Sequence, residues 1–364
     1  MVELTQEQEL LKGTIKDFSQ SKIAALAPRI DSDSEIPDEL VKKLPELGLY
    51  GIAIPGEFGG AGADYLSLLL ATEELSKVSG TVGARISFHG VVCETLKASS
   101  NVALKNALLP KLAAGTLSAL SVDQNSTISW KRNSSGLTLD GSSEYVMNAD
   151  SAGIFLIRAT SKEGVSILVC FEKEEVNSIE IGEPKRMMGL RGSGTCSVTF
   201  RELKMSDSSL VFQPAETPSG IKLLLIAARL GVASQALGIA QAALDEEVRY
   251  ANERSQFNAK IGQFYAVQDF IAMDEISVDT ARTLTYGVAK SSSEDSVDRR
   301  SSVAKVAASN AAVQCARHSI RVHGGYGFVR DYPVERFLRD ARATQIYLEP
   351  NEALKAKIAR DLLG

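Results

Sequence analysis

Hydrophobic residues recur every three to four positions over the first third of the chain, which predicts an N-terminal helical domain covering residues 1–115. Thr5 and Gln8 have the spacing of a capping box at the start of the first helix. Asp64 can cap a later, leucine-rich helix, and Gly80 is expected to end that helix. The first apolar stripe consists of Leu10, Leu11, Ile15 and Phe18.

The pattern changes to short apolar runs over residues 116–216. Clusters of serine, asparagine, glycine and aspartate separate these runs, as turns separate strands. No helical pattern of about ten residues lies between them, so an antiparallel barrel or sandwich is favoured over a doubly wound sheet. The strand-like runs are 117–122, 154–157, 165–171 and 195–200.

Helical periodicity returns over residues 217–364. Thr217 is expected to cap the first helix of this region, with Pro218 in its first turn. Further long helices are predicted over 263–290 and 299–321, which gives a C-terminal bundle. The resulting order of helical, β and helical domains does not by itself identify a reaction.

Composition excludes several classes of protein. The chain has 364 residues, 40 Lys and Arg against 45 Asp and Glu, and a net charge of −5, so no global basic field favours nucleic acid. The apolar run at 221–228 is interrupted by Lys222 and is too short to span a membrane. Four scattered cysteines favour a reducing compartment, and we expect a cytoplasmic protein without a metal site.

Several separated motifs carry more specific information. Together they resemble the acyl-CoA dehydrogenase family over essentially the whole chain. The resemblance implies a multidomain α+β fold with an N-terminal helical domain, a middle antiparallel β domain and a C-terminal four-helix bundle, usually in a homotetramer built as a dimer of dimers. The motifs are Ile52–Gly60, Leu109–Gly115, Met188–Ser193, Tyr250–Ile261, His323–Phe328 and Asp331–Arg336.

The resemblance also implies an activity in fatty acid metabolism. The family removes two hydrogens from Cα and Cβ of an acyl-CoA or acyl-carrier-protein thioester. A carboxylate takes the α proton, and the β hydrogen leaves as hydride to FAD. This chemistry requires a base in a dry pocket and hydrogen bonds to the thioester carbonyl. An electron-transfer partner is expected to reoxidise the flavin.

The family resemblance assigns two groups of FAD contacts. The first group approaches the FAD of a neighbouring subunit, and Arg254 would meet its pyrophosphate. Arg321 stands where the family usually has glutamine. This group comprises Arg254, Gln256, Phe257, Arg321, Gly324 and Gly325. The second group lies within one subunit and is eroded: only Ser121, Tyr145 and Met147 correspond to family contacts, and the flavin-holding loop is replaced by residues 121–126.

The expected catalytic base is also replaced. Leu348 occupies the usual glutamate position, and Ala228 occupies the alternative base position. Glu349 is the neighbouring carboxylate and the candidate base, with an exposed loop glutamate as the structural alternative. Arg229, which is expected to bind substrate, is retained, whereas Ile226 replaces an acidic residue that helps to hold CoA.

Three hypotheses follow from this mixture of kept and lost residues. The first is a working acyl-CoA dehydrogenase with a displaced base. The second is a structural subunit without its own chemistry, which would complete the FAD site of a related subunit in a hetero-oligomer. The third is an acyl-CoA binder or a flavoprotein with another reaction.

Overall fold

The computed structural model describes residues 3–123, 126–134, 136–176, 178–291 and 294–364. Its N-terminal region is helical, as predicted, and packs leucines and isoleucines of successive helices into one core. The helices are α1 (Gln6–Phe18), α2 (Ala27–Asp33), α3 (Asp38–Glu46), α4 (Tyr65–Val78), α5 (Gly80–Lys97) and α6 (Val102–Ala113).

Three helix ends of this N-terminal region were predicted from local sequence, and two of the three predictions are confirmed. The capping box is confirmed: the Gln8 amide donates to Thr5 Oγ1 at 3.2 Å, and the Thr5 amide donates to Gln8 Oε1 at 3.0 Å. Asp64 caps α4 by accepting from the Ser67 amide at 2.9 Å. The prediction that Gly80 ends α4 was wrong, because Ser79 adopts an extended conformation, caps α5, and makes Gly80 its first residue.

The middle region forms one seven-stranded sheet in the order β1-β4-β2-β3-β7-β6, with β5 paired to β4. Most neighbours are antiparallel, as predicted, but β1 and β2 both run parallel to β4 because the β2–β3 hairpin intervenes before the chain returns. The strands are β1 (Ser118–Ser121), β2 (Ser129–Asn133), β3 (Gly136–Val146), β4 (Ile154–Thr160), β5 (Ser166–Glu172), β6 (Ile179–Ile181) and β7 (Cys196–Met205).

The C-terminal region is built around one central 37-residue helix, α7, which packs against α4, α5, α8 and α9. Glu216, not Thr217, precedes this helix, so Thr217 is its first residue rather than its cap. Among the described helices, α7 alone has the length and composition of a membrane span, but most of its apolar stretch is buried within the protein. The helices are α7 (Thr217–Glu253), α8 (Tyr265–Ala289), α9 (Glu294–His323), α10 (Val334–Thr344) and α11 (Asn351–Leu363).

A buried carboxyl pair joins three of these helices. Glu247 on α7 is fully buried, and its ionised form has no hydrogen-bond donor among the described residues. Asp274 on α8 faces it and binds Gln314 and His318 of α9, each within 2.9 Å. Burial and the charge of Asp274 raise the pKa of Glu247 to about 9, and the buried Cys315 thiol also faces the pair. Glu247 therefore carries a proton at neutral pH.

We expect Glu247→Gln to stabilise the fold at neutral and alkaline pH. A glutamate with a raised folded pKa contributes stability that is complete below its unfolded pKa and is lost as pH rises toward about 9. Between the unfolded pKa and pH 7 the parent protein loses about 1.4 kcal/mol of stability per pH unit, so the gain from Glu247→Gln is on the order of 3–4 kcal/mol at pH 7. Urea denaturation between pH 5 and about 9 measures it.

The adjacent Glu246 provides a matched control. Burial raises its pKa, but His323 and Arg249 outweigh burial and lower the pKa to about 2. Its ionised form is therefore favoured in the fold, and Glu246→Gln should lower stability above the unfolded pKa. If the Glu247→Gln protein loses stability with pH as steeply as the parent, Glu247 does not hold this proton.

Candidate functional site

The end of α7 leads into a short hairpin that projects from the surface. Strands β8 (Ser255–Gln256) and β9 (Ala259–Lys260) are joined by Phe257 and Asn258, which have φ angles of 50° and 61°. Two consecutive positive φ angles give the tight turn whose twist matches a hairpin, although phenylalanine rarely adopts this conformation. Phe257 is 90% exposed, so the turn presents an aromatic ring outward from the subunit.

A polar and aromatic cradle of about 440 Å³ lies beside this hairpin. The guanidinium of Arg254 sits 5.5 Å from the centre of the Tyr326 ring and forms no ion pair with a described residue. Gly324 has a φ of +59°, and a side chain at this position or at Gly325 would meet open space. The cradle is lined by Tyr250, Arg254, Gln256, Ile261, Val322, His323, Gly324, Gly325, Tyr326 and Val329.

The structure brings together most of the first predicted group of contacts. Arg254, Gln256, Gly324 and Gly325 line the cradle, whereas Phe257 lies beside it. Arg321 also lies outside the lining, with its guanidinium 5.6 Å from the Phe270 ring centre.

Two aromatic residues of the cradle were missed by the sequence reasoning. Tyr250 stacks on His323 with ring centres 4.0 Å apart, and His323 is fixed by the Ser319 carbonyl oxygen at 2.7 Å. Tyr326 lies beneath Arg254. Both tyrosines lie within the motifs Tyr250–Ile261 and His323–Phe328, so these motifs could have identified them as candidate site residues.

A second, apolar crevice of about 120 Å³ lies between the β domain and the C-terminal helices. Met147 and Tyr347 face it from opposite sides, and Met147 Sδ accepts a hydrogen bond from Thr195 Oγ1 at 2.9 Å. Ser121 is nearby in the sheet, because its neighbour Leu120 pairs with Met147. The crevice is lined by Met147, Met187, Met188, Gly189, Leu190, Ser193, Arg339, Arg342, Ala343, Ile346 and Tyr347.

The second predicted group is only partly assembled at this crevice. The hydroxyl of Ser121 is buried and has no hydrogen-bond partner among the described residues. Tyr145 is exposed on the strand two residues before Met147, with the Lys185 ammonium 5.7 Å from its ring centre. Of the predicted loop 121–126, Gln124 and Asn125 lie outside the described residues.

The loop that forms one wall of the crevice is held rigidly. Gly189 packs against the carbonyl oxygen of Arg339, where a Cβ would come within 2.2 Å. The next residue, Leu190, has a φ of 52° and donates its amide to the buried Asp340 carboxylate at 2.6 Å. Asp340 thus fixes the position of the loop 188–193 relative to α10.

The two family base positions are both aliphatic and packed. Leu348 lies in the loop between α10 and α11 with a φ of 61°. Its side chain packs against an apolar cluster that contains Phe88, Leu224 and Ala228. Neither position can therefore supply a carboxylate base. Ala228 belongs to the apolar cluster and Leu348 packs against it.

Glu349 points away from this cluster into a buried ion network. Its Oε2 accepts from Arg229 Nε at 2.6 Å and its Oε1 from Arg229 Nη2 at 3.0 Å. Only 8% of Glu349 is exposed, so the alternative of an exposed loop glutamate was wrong. Arg229 also binds Asp298, and Lys305 donates to the Glu349 carbonyl oxygen at 2.6 Å.

The charges of this network stabilise one another. Burial alone would lower the pKa of Arg229, but Glu349 and Asp298 outweigh it and raise that pKa. Burial lowers the pKa of Lys305 to about 8. Arg229 therefore stays charged. Its guanidinium nitrogens donate to Glu349, Asp298 and Ser301.

Comparison with known proteins identifies the family of this chain. The family model for the acyl-CoA dehydrogenase N-terminal domain matches residues 5–116, and the model for the C-terminal domain matches residues 221–363. An acyl-CoA dehydrogenase of Bacillus subtilis (strain 168) is 34% identical over 99% of both chains. The chain belongs to the acyl-CoA dehydrogenase family.

Further relatives agree with this assignment. A short-chain specific acyl-CoA dehydrogenase of Clostridium acetobutylicum is 31% identical over 98% of both chains. The structure of butyryl-CoA dehydrogenase from Megasphaera elsdenii superposes with a TM-score of 0.94 over 100% of both chains, at 28% identity.

Membership confirms several predictions made from the sequence. The three-part fold is that of an acyl-CoA dehydrogenase, and the chain is an acyl-CoA dehydrogenase-like flavoprotein, an oxidoreductase acting on CH–CH donors. FAD is the cofactor of this family. The structural-subunit alternative is not favoured, because the relatives and structural neighbours are acyl-CoA dehydrogenases.

The described residues fit FAD in two ways. The cradle offers the Arg254 guanidinium, which has no counter-ion among the described residues, together with glycines at which no side chain obstructs approach, as a pyrophosphate requires. The apolar crevice has the unpartnered Ser121 hydroxyl nearby, which a polar atom of the flavin ring would satisfy. The open cradle suits the phosphate part of FAD, and the apolar crevice suits its ring.

Proposed function

We propose that this chain oxidises the Cα–Cβ bond of an acyl-CoA or acyl-carrier-protein thioester, within a homo-oligomer whose subunits complete each other's FAD sites. The observation that carries this proposal is the outward-facing cradle around Arg254, combined with similarity over the full length of acyl-CoA dehydrogenases. An open cradle at the surface fits a cofactor held mainly by a second subunit. A cytoplasmic location and an electron-transfer partner stay predictions.

In this proposal the FAD contacts divide between two subunits. Arg254 and the backbone at Gly324 and Gly325 would hold the pyrophosphate, while Met147 and Ser121 of the other subunit would face the ring. When bound, FAD would supply the hydride acceptor. The methionines and leucine around the crevice would keep water from that acceptor.

Glu349 is our proposed proton acceptor. It is the carboxylate nearest in sequence to the family base position, and both of its oxygens accept from Arg229 in the buried ion network. To accept a proton from a substrate carbon, one carboxylate oxygen must leave the ion pair. Asp298 remains as a counter-ion of Arg229 during that movement.

A groove between α5 and α7 is our proposed site for the acyl chain, with apolar residues on its α7 and α8 walls and the Glu94–Lys97 ion pair on its α5 wall. Its volume is about 470 Å³, and its wall on α7 includes Ala227, the neighbour of the alternative base position. Tyr65 fixes this part of α7 by donating its hydroxyl to the Ala227 carbonyl oxygen at 2.7 Å. The α7 and α8 residues that line the groove are Leu223, Ile226, Ala227, Leu230, Val288 and Ala289.

The proposal is tested by the colour and redox response of the purified protein. A yellow protein with an absorbance band at about 450 nm that bleaches on anaerobic addition of an acyl-CoA would support it. A series of acyl-CoA and acyl-carrier-protein thioesters of increasing chain length would identify the preferred substrate. A flavin-loaded protein that no member of the series bleaches would contradict the proposed reaction.

We expect Arg254→Ala to weaken FAD binding. Loss of a charge-assisted hydrogen bond to phosphate removes about 1.5–3 kcal/mol, which corresponds to a roughly 10- to 150-fold higher Kd. Titration of the apoprotein with FAD, followed by flavin fluorescence, measures the change.

Arg201→Ala is a suitable control for this variant. Arg201 is exposed on the β domain and pairs with Glu180 at 2.9 Å, away from the cradle. Its loss should leave the FAD affinity unchanged. Equal affinities for the parent and the Arg254→Ala protein would remove Arg254 from the cofactor site.

A further inference from the structure

Arg158 occupies an unusual place in the β domain. Along β4, Phe155 and Ile157 point into the interior of the β domain, whereas Leu156 packs in the cluster shared with α7. Because side chains alternate along a strand, Arg158 lies on the same face as Leu156. Its partner across the ladder, Leu168, belongs to the same cluster as Leu156. A guanidinium therefore lies at the edge of the packed interface between the β domain and the C-terminal helices.

The guanidinium of Arg158 is poorly compensated. It is partly buried, and its hydrogen bonds in the described part of the chain go to the Ser166 hydroxyl alone, at 3.3 Å from Nε and 3.2 Å from Nη2. Ion pairs within the described residues do not include Arg158. Burial accordingly lowers the pKa of Arg158, and the negative charge of Glu349 offsets only part of this effect.

Glu349 is engaged by Arg229, which donates to both of its oxygens, and no hydrogen bond or ion pair among the described residues joins Glu349 to Arg158. Arg229 donates to Glu349, Asp298 and Ser301. Arg158, by contrast, retains N–H groups that have no acceptor among the described residues. A partly buried guanidinium with free donors is a favourable site for a bidentate oxyanion.

We propose that Arg158 binds an oxyanion of the substrate at the edge of the interface between the β domain and the C-terminal helices. This inference rests on the proposed function, because it takes the bound ligand to be an acyl thioester. Two parts of a thioester substrate carry suitable oxyanions. One is a phosphate of the CoA or phosphopantetheine carrier, and the other is a carboxylate at the far end of a dicarboxylic acyl group.

Binding of free CoA tests the inference without requiring catalysis. If a phosphate of the carrier is the ligand, isothermal titration of the flavin-loaded protein with CoA should give a Kd at least about tenfold higher for Arg158→Gln, since one charge-assisted contact is lost. Arg158→Lys should recover part of the affinity, because it keeps the charge but not the bidentate geometry. Arg201→Gln, on the same domain, should bind CoA as the parent does.

Pantetheine thioesters separate the two sources of the oxyanion. They lack phosphate, so a loss of affinity in Arg158→Gln for CoA but not for acyl-pantetheines would identify the carrier phosphate. A loss confined to a dicarboxylic acyl-pantetheine would identify the acyl carboxylate. Unchanged affinity of a folded Arg158→Gln protein for both classes would overturn the inference.

The outcome is independent of the test of the reaction. If acyl-CoA bleaches the flavin and Arg158→Gln binds every ligand normally, the inference fails and the proposed function stands. If CoA binding depends on Arg158 but no thioester bleaches the flavin, the inference stands and the proposed reaction fails.

Discussion

Replacement of Glu349 by glutamine is expected to abolish the bleaching of bound FAD by an acyl thioester. An amide has nearly the shape of the carboxylate but cannot accept the α proton, and loss of a general base typically lowers the rate by about 10²–10⁴-fold. The free energy of unfolding should fall by only about 1–2 kcal/mol, because the amide oxygen of glutamine can still accept from Arg229. Asp298 remains the counter-ion of Arg229. Anaerobic stopped-flow spectroscopy at matched flavin content measures the rate.

The nearby Glu352 provides a control for this experiment. It lies in the first turn of α11, three residues after Glu349, and is exposed. Glu352→Gln changes the charge of the same region without removing a hydrogen bond of the ion network, so bleaching should be unaffected. If the Glu349→Gln protein bleaches at the parent rate, Glu349 is not the proton acceptor and has a structural role only.

Sequence reasoning succeeded where local chemistry determines the structure. The capping box of Thr5 and Gln8 and the cap at Asp64 need only a few neighbouring residues, and both are present. The helical and strand-rich thirds follow from periodicity, which reports burial of one face. The parallel pairing of β1 and β2 with β4 could not be predicted, because it depends on which distant strands meet in the sheet.

The site was predictable to the extent that it lies in continuous motifs. Arg254, Gly324 and Gly325 were located because each belongs to a recognisable segment, and the fold brings these segments together. The partner of Glu349 was not predictable, because Arg229 is 120 residues away and meets it only when α7 packs against the α10–α11 loop. The same holds for Arg158, whose free donors become visible only when its neighbours are known.

Replacement of Arg229 by methionine is expected to lower the free energy of unfolding by about 3–5 kcal/mol. Methionine fills much of the volume of the arginine stem, so the main effect is electrostatic: Glu349 is left buried without its bidentate partner. Lys357 still pairs with Asp298 at 3.0 Å, so Asp298 contributes less to the loss. Urea denaturation at neutral pH measures the change.

The double variant Arg229→Met with Glu349→Leu identifies the source of that loss. If an unpaired buried charge is responsible, replacing both partners by apolar side chains should restore most of the stability, because the desolvation of two ions is then avoided. If the loss came from packing around the arginine stem, the double variant would be at least as unstable as the single one. A restored fold without bleaching would further show that the ion pair serves the reaction rather than the architecture, since the protein would keep its structure while it lost Arg229 and its proposed proton acceptor.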